Sequence, residues 1–293
     1  MAGGISRTEA AALFTEGFTA SVLKATSVAS VALSTIPTFP MSSKVHKQPV
    51  LSALPTARFL TSVGEVKPLS TAAWDNVFVT AEEIAVIVPI DDSVIADAAI
   101  NVVSDVQDAI AQAFAVTIDA AVFFGTGAPA SWPAGGIAAK AADVEYADGD
   151  SWGAAFDAVE SLGADVSDVW ASRSARGLWR TARSGTGNDS RIPEVSVSDV
   201  WGITPTFPLG WDKDAALAIV GDDNAARIGI RQDLTFSISD QANLTGYGSL
   251  WEKDATAIRA VMRIGFALAN PISVWSGARS YPFAKVVPAP AGP

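Results

Sequence analysis

Apolar positions along the chain switch between a helical and a strand period, and the switches mark out its parts. From Thr8 to Val31 the residues Leu13, Phe14, Phe18, Val22, Leu23 and Val28 recur at helical spacing, until Pro37 and Pro40 end the pattern. Between Ser34 and Pro55 the chain carries Pro37, Pro40, Pro49 and Pro55. That is too many for a helix, and the alternation is too weak for a central strand, so an extended arm lying across another surface is predicted. Two strand-like runs follow, Arg58 to Val63 and Trp74 to Thr80, joined by the polar stretch Gly64 to Thr71. They predict a long hairpin. At roughly 3.3 Å per residue it would reach about 30 Å, and an isolated ribbon of that kind is marginal in water.

Ile84 to Ile90 is apolar on both faces and predicts a buried strand. Asp91, Asp92 and Ser93 then suit a helix start, and Val94, Ile95, Ala98, Val102, Val106, Ile110, Phe114, Ile118 and Val122 continue one stripe until Gly125 and Gly127. At 1.5 Å per residue that helix is about 45 Å long, the longest rigid element expected. The turn-rich segment Gly125 to Gly136 reads as a boundary. A mixed module follows to about Asp223, with helices over Trp152 to Leu162 and Ser172 to Ser184 and strands over Ala164 to Trp170 and Ala216 to Val220. Leu234, Phe236 and Ile238, and then Ile258, Ala260, Met262, Ile264, Phe266 and Leu268, alternate with polar or second-face neighbours, as half-buried antiparallel strands do. The tail from Val286 to Pro293, with three prolines, reads as a flexible or docked end.

Composition narrows the function classes. The chain is 49% apolar and only 17% charged, with a mean hydropathy of +0.29, nine Trp and thirteen Phe. An ordinary soluble domain is about 25% charged, so either the core is large or partners cover much of the surface. No run of roughly 18 apolar residues suggests a membrane span. Met1 to Glu9 has neither a basic region nor an apolar segment, so no signal peptide is expected. There is no cysteine, which removes disulfides, thiolate nucleophiles and Cys-based zinc sites. A net charge of -11 and a pI near 4.5 argue against sequence-specific nucleic-acid binding, although an acidic lining would let a packaged polymer slide.

The order helix, extended arm, long hairpin, long helix, mixed module and closing strands resembles the Hong Kong 97 capsid fold. That α+β fold has an N-terminal arm, an E-loop hairpin, a peripheral (P) domain with a long spine helix, and an axial (A) domain. The wording is similar as well. Trp74 with EEIAVIVPIDDSVIADA (Glu82 to Ala98), IDAAVFFGTG (Ile118 to Gly127) and WPAGGI (Trp132 to Ile137) look like the stretch that leaves the E-loop, runs along the spine and enters the A domain. VWGITPTFP (Val200 to Pro208), AIVGDDNAARIGIRQDLTFSIS (Ala218 to Ser239) and LWEKDATAIRAVMRIGFALANPISVW (Leu250 to Trp275) are similar to the closing half. The implied division is 1–55 helix and arm, 56–81 E-loop, 82–136 first part of the P domain, 137–223 A domain, 224–285 second part of the P domain, and 286–293 tail.

The resemblance implies a major capsid protein of a tailed bacteriophage. Such a protein is structural, without enzyme activity or cofactor. It self-assembles into the hexamers and pentamers of an icosahedral head around double-stranded DNA, in the virion, after assembly in the bacterial host cytoplasm. Scaffolding, portal and decoration proteins are the implied partners, and the lack of a long charged N-terminal segment implies a separate scaffold or none. Some relatives cross-link an E-loop lysine to a neighbour's asparagine. Lys67 sits at the hairpin tip, but no Asn or Glu here matches the family's partners, and a solvated lysine is the expectation.

The mechanism expected is geometric: each subunit lends its arm and hairpin to neighbours. The expected contacts are Phe14, Phe18 and Leu23 of the arm and Phe59, Leu60, Val63, Lys67, Trp74, Val77 and Phe78 of the hairpin. Arg173, Arg176, Arg180 and Arg183 fall on one helix face. They form either intersubunit salt bridges or a solvated face answered by Asp157, Asp165 or Asp168. His46, the only histidine, makes a triad or a histidine metal site improbable. Asp91-Asp92 and Asp222-Asp223 read as caps. Two other readings remain at this stage, an encapsulin-like compartment with protein cargo and an acidic hydrolase using carboxylates, for which no pair is singled out.

Overall fold

The alternation along residues 258–268 organises the larger of two sheets. The computed structural model describes residues 30–60, 66–67, 69–93, 102–181, 200–273 and 277–289. In chain order these form helix α1 (Val31–Thr35), strands β1 (Thr38–Pro40), β2 (Val45–Ala53) and β3 (Ala73–Asp91), helix α2 (Val102–Phe124), β4 (Ala142–Glu145), α3 (Asp150–Glu160), β5 (Asp168–Ala171), α4 (Ala175–Arg180), β6 (Ala218–Gly221), β7 (Ala226–Ser239), β8 (Asn243–Leu244), β9 (Gly248–Ser249), β10 (Ala255–Leu268) and β11 (Phe283–Val287). The larger sheet runs β1-β7-β10-β3-β2 and the smaller β4-β11-β6-β5, with β8 and β9 as a separate pair. The α+β class is as expected.

Strand β10 sits between β3 and β7, antiparallel to both. Its residues Ile258, Ala260, Met262, Ile264, Phe266 and Leu268 are buried, and α2 contributes Ile110, Phe114, Ile118 and Val122 to the same core. Each such side chain is worth about 1.5–3 kcal/mol when fully withdrawn from water, so the pairing of helix and sheet dominates this half. Helix α2 stops at Gly125, whose φ is +67°. The chain then folds back: the N–H groups of Ile137 and Ala138 donate to the carbonyls of Val122 and Phe123 at 3.0 and 2.8 Å. Only glycine fits at Gly136, where φ is +60° and a Cβ would lie 2.5 Å from the Val122 oxygen. The smaller sheet builds a second core around Trp152, Phe156, Trp179, Val220 and Val286.

Several expectations change. The partner of residues 73–80 is β2, paired from Val45↔Thr80 to Ala53↔Ala73, and not the run Arg58 to Val63. Residues read as a loose arm are therefore strand in the protomer's own sheet. Pro49 is tolerated because β2 is an edge strand. Ile84 to Ile90 is covered on one face only, with Ala85 exposed and Ile87 47% exposed on the other. The tail expected from Val286 starts inside β11, a strand flanked by β4 and β6, where Val286 is fully buried. The helix expected over Ser172 to Ser184 is α4, and residues 182–199 lie outside the described residues. So do Thr8 to Ala29 of the first expected helix and residues 94–101 of the long one.

Candidate assembly interface

Strand β10 pairs with β3 only from Asp91 back to Ala81; from Thr80 back to Ala73, β3 pairs with β2 alone. The hairpin thus leaves the sheet as a two-stranded ribbon. On one face lie Val45, Lys47, Pro49 and Leu51 opposite Thr80, Phe78, Asn76 and Trp74. This face is open: Trp74 is 67% and Phe78 59% exposed. The other face turns to the body, where Val77 packs with Met41, Val79 and Ala81, and the His46 ring lies 4.9 Å from that of Phe39. Val77, expected at the interface, is thus part of the protomer's own packing.

Beyond the ribbon the chain carries large apolar groups into water. Phe59 is 96% exposed, Leu69 is fully exposed, and Leu60 and Val66 are exposed as well. Lys67 is exposed and makes no ion pair among the described residues. Phe14, Phe18, Leu23 and Val63 lie outside the described residues.

The ribbon is tied to the body near its outer end, at Asp75. Arg279 Nη1 donates to Asp75 Oδ2 at 2.7 Å, while Nη2 and Nε donate to Asn270 Oδ1 at 2.6 Å and to the Asn270 carbonyl at 3.2 Å. The Arg279 guanidinium, with the Asn76 N–H, holds the Asp75 carboxyl below the usual carboxylate range. On the body side, Glu82 accepts from the Ser131 hydroxyl at 2.9 Å and pairs with Lys44 at 3.5 Å.

The arginine stripe is not uniform. Arg176 stacks its guanidinium 3.8 Å from the centroid of the Phe207 ring. Arg173 and Arg180 are exposed, and among the described residues no ion pair joins any of the three to Asp157, Asp165 or Asp168. Arg183 lies outside the described residues. Asp222 caps a short 3-10 turn by accepting from the Asn224 N–H at 2.9 Å, as expected. Asp91 and Asp92 accept from the Tyr247 and Thr256 hydroxyls, both at 2.7 Å, tying the end of β3 to the turn between β8 and β9 and to the start of β10; a helical turn begins at Asp92, and its continuation lies outside the described residues.

One carboxylate went unremarked in the sequence, and a second was read only as a possible partner of the arginine stripe. Asp119, fully buried in α2, accepts from Ser30 Oγ, Val31 N, Ala32 N and Leu209 N. Burial pushes its pKa up against those four bonds. The signal available was an acid set between Ile118 and Val122 of an apolar stripe. Asp168 is raised to about 6 by burial and by the charges of Asp223 and Asp222, with the Ser167 hydrogen bond opposing. Among the described residues no cluster of three or more His, Asp or Glu is arranged to hold a metal ion, and no helix is long and apolar enough to cross a membrane.

What the geometry defines is a protomer with a projecting ribbon, one face of which, bearing Trp74 and Phe78, is open. Residues 21–275 match the phage capsid family, and the chain belongs to that family. A solved chain from Mycobacterium phage Adephagia is 29% identical, with a TM-score of 0.80, over 99% of this chain and all of its own. One from Microbacterium phage Oxtober96 is also 29% identical, with a TM-score of 0.78, over 98% of this chain and all of its own. A more distant chain, titled as the capsid of an empty GTA particle with C5 symmetry, shares the fold at 15% identity and a TM-score of 0.65, over 88% of this chain and 89% of its own. None of the curated proteins matches the sequence. The protein is a structural major capsid protein of a bacteriophage, located in the virion shell that its copies build.

Proposed function

We propose that the copies close as hexamers and pentamers of an icosahedral head around double-stranded DNA, each laying its hairpin on the next subunit. The observation that carries this reading is the open ribbon face, with Trp74 and Phe78, continued by Phe59 and Leu69 at the tip. At about 25 cal/mol per Å² even modest burial of this surface adds several kcal/mol per contact, offset by association costs. In this reading residues 56–81 with β2 are the E-loop, α2 is the spine, the larger sheet belongs to the P domain and the smaller to the A domain. Phe14, Phe18 and Leu23 of the arm add contacts, as do Arg173 and Arg180 through intersubunit pairs. The acidic chain encloses DNA without sequence-specific binding. Scaffolding, portal and decoration proteins join during assembly in the host cytoplasm, and the shell works without catalysis.

Deleting residues 64–71 tests the mechanism. Electron microscopy of the expressed protein should show closed particles for the intact chain and free capsomers or monomers for the deletion. Normal closed particles from the deleted chain would refute the proposal. Extracted nucleic acid, as against a protein cargo, distinguishes a DNA head from a compartment.

A further inference from the structure

Every charged residue from Ala141 to Ser172 is acidic. On α3 two of these carboxylates share a face with a glycine: Asp157 and Glu160 follow Gly153 by four and seven residues, the spacing of one helical stripe. Both are exposed, and neither takes part in an ion pair among the described residues. Such a stripe alone is a solvated face, but here it borders a cleft that has an aromatic side as well.

Val200 and Ile203 exchange backbone hydrogen bonds at 3.0 and 3.1 Å across a two-residue turn, whose central residues Trp201 and Gly202 have φ of +48° and +81°. A turn of that kind needs positive φ at both positions, so it imposes on Trp201 a left-handed backbone that a bulky residue seldom adopts. The turn lays the indole over α3. A Cβ at Gly153 would meet Trp201 Cζ2 at 3.5 Å, and the Phe156 ring is 5.1 Å from the indole. Phe156, Trp201 and Ile203, with Asp157 and Glu160, line a space of about 360 Å³. A second acidic hollow, beside Asp165 and Asp222, has no aromatic side chain in its lining.

We propose that this cleft binds a linear alkyl polyamine, with its methylene stem against the Trp201 indole and two ammonium groups on Asp157 and Glu160. Ammonium cations are attracted both to carboxylates and to the face of an indole. The hydrocarbon between them needs an apolar surface, which Trp201 and Ile203 provide. Residues three apart on a helix have Cβ atoms about 5–6 Å from each other, a distance that three or four methylenes span. A metal ion would instead need ligands converging on one point, and among the described residues no three carboxylates or histidines do so. A lysine side chain carries a single ammonium and answers only one of the two carboxylates. The inference is independent of how the copies assemble.

Calorimetric titration of the purified full chain at low salt tests it with three probes: putrescine, butylamine and magnesium. Putrescine should bind saturably, one per chain, and butylamine about tenfold more weakly. Magnesium at matched ionic strength should not displace the diamine. In NMR spectra the putrescine methylene protons should move upfield on binding, as protons over an indole ring do. Asp157→Asn with Glu160→Gln should weaken putrescine binding about tenfold. Glu145→Gln with Asp165→Asn removes the same charge from exposed positions outside the cleft and should leave binding unchanged. Equal affinity for butylamine, displacement by magnesium, no upfield shift or no saturable binding overturns the proposal in the wild-type chain, without any variant. So does an equal effect of the two double substitutions.

Discussion

The hydroxyl of Ser30 donates to Asp119 Oδ1 at 2.8 Å across 89 residues of sequence, inside the protein. The same carboxylate accepts from the N–H groups of Val31 and Ala32 at the start of α1 and from Leu209 N at 3.3 Å. One side chain on α2 therefore holds the entry of the chain and the 208–210 segment together. Asp119→Ala leaves these donors buried without an acceptor, which costs about 1–3 kcal/mol for each group that water cannot reach. The expected loss is about 2–4 kcal/mol in denaturant titration of unassembled protein. Asp119→Asn should lose less, since its amide oxygen still accepts. Equal stability of Asp119→Ala and wild type would show that the pin is not structural.

Asp168 gives the fold a pH dependence of defined sign. Its carboxyl is raised to about 6, first by burial and then by the charges of Asp223 and Asp222. In the unfolded chain it titrates near its ordinary value, so between about pH 4 and 6 the native state holds a proton that the unfolded state has lost. Stability is fully present below that window, falls as pH rises through it, and is level above. Asp168→Asn should remove the slope and stabilise the protein at pH 7 by about 1–2 kcal/mol, a figure discounted for solvent screening because the side chain is only partly buried. Parallel pH profiles of melting for variant and wild type would rule this out.

Long alternating runs were legible because burial on one face of a sheet repeats every second residue: residues 258–268 and the stripe of α2 are where the pattern placed them. The end of α2 was legible from Gly125, since a left-handed terminus needs no partner to be recognised. Strand β2 was not, because Pro49 argues against any strand except an edge, and edge position is a property of the whole sheet. Nor was β11, whose five residues beside a proline-rich end acquire meaning only between β4 and β6. The second face of β3 misled for a different reason. Ala85 and Ile87 are apolar, but in one protomer nothing covers them, and a sequence does not distinguish burial in a core from burial in an assembly. Hairpin-tip residues such as Phe59 were legible as interface candidates on that same ground, whereas Asp119 was hidden within a helical stripe.

Arg176 and Arg180 share a helix face but not a role. Arg176 covers the Phe207 ring, and its Nε is buried with no hydrogen-bond partner among the described residues, while Arg180 is exposed. Arg176→Glu places a carboxylate against an aromatic face and loses a cation–π contact worth about 0.5–2 kcal/mol, so it should lower the melting temperature of the unassembled protein. Arg180→Glu should leave folding unchanged and alter only the yield of particles. An assembly defect in Arg180→Glu accompanied by equal destabilisation would mean that its role is internal.

Arg279 joins the outer part of the ribbon to the body, and its partners separate two effects. Asp75→Ala removes only the contact to β3, whereas Arg279→Ala also frees Asn270. Hydrogen exchange should rise in β2 and in residues 73–80 for both variants, because that paired stretch has no third strand beside it to hold it closed. It should rise around residues 270–273 for Arg279→Ala alone. Since the Asp75 carboxyl is held below its ordinary value, the ion pair is present above that value and is released only as pH falls through the lowered one. Acid strong enough to protonate Asp75 should therefore reproduce the Asp75→Ala exchange pattern in the wild type and add nothing in the variant. If exchange in the ribbon is the same with and without Arg279, the ribbon is held by the Met41 and Val79 packing instead, and the ion pair is incidental to how the hairpin is presented.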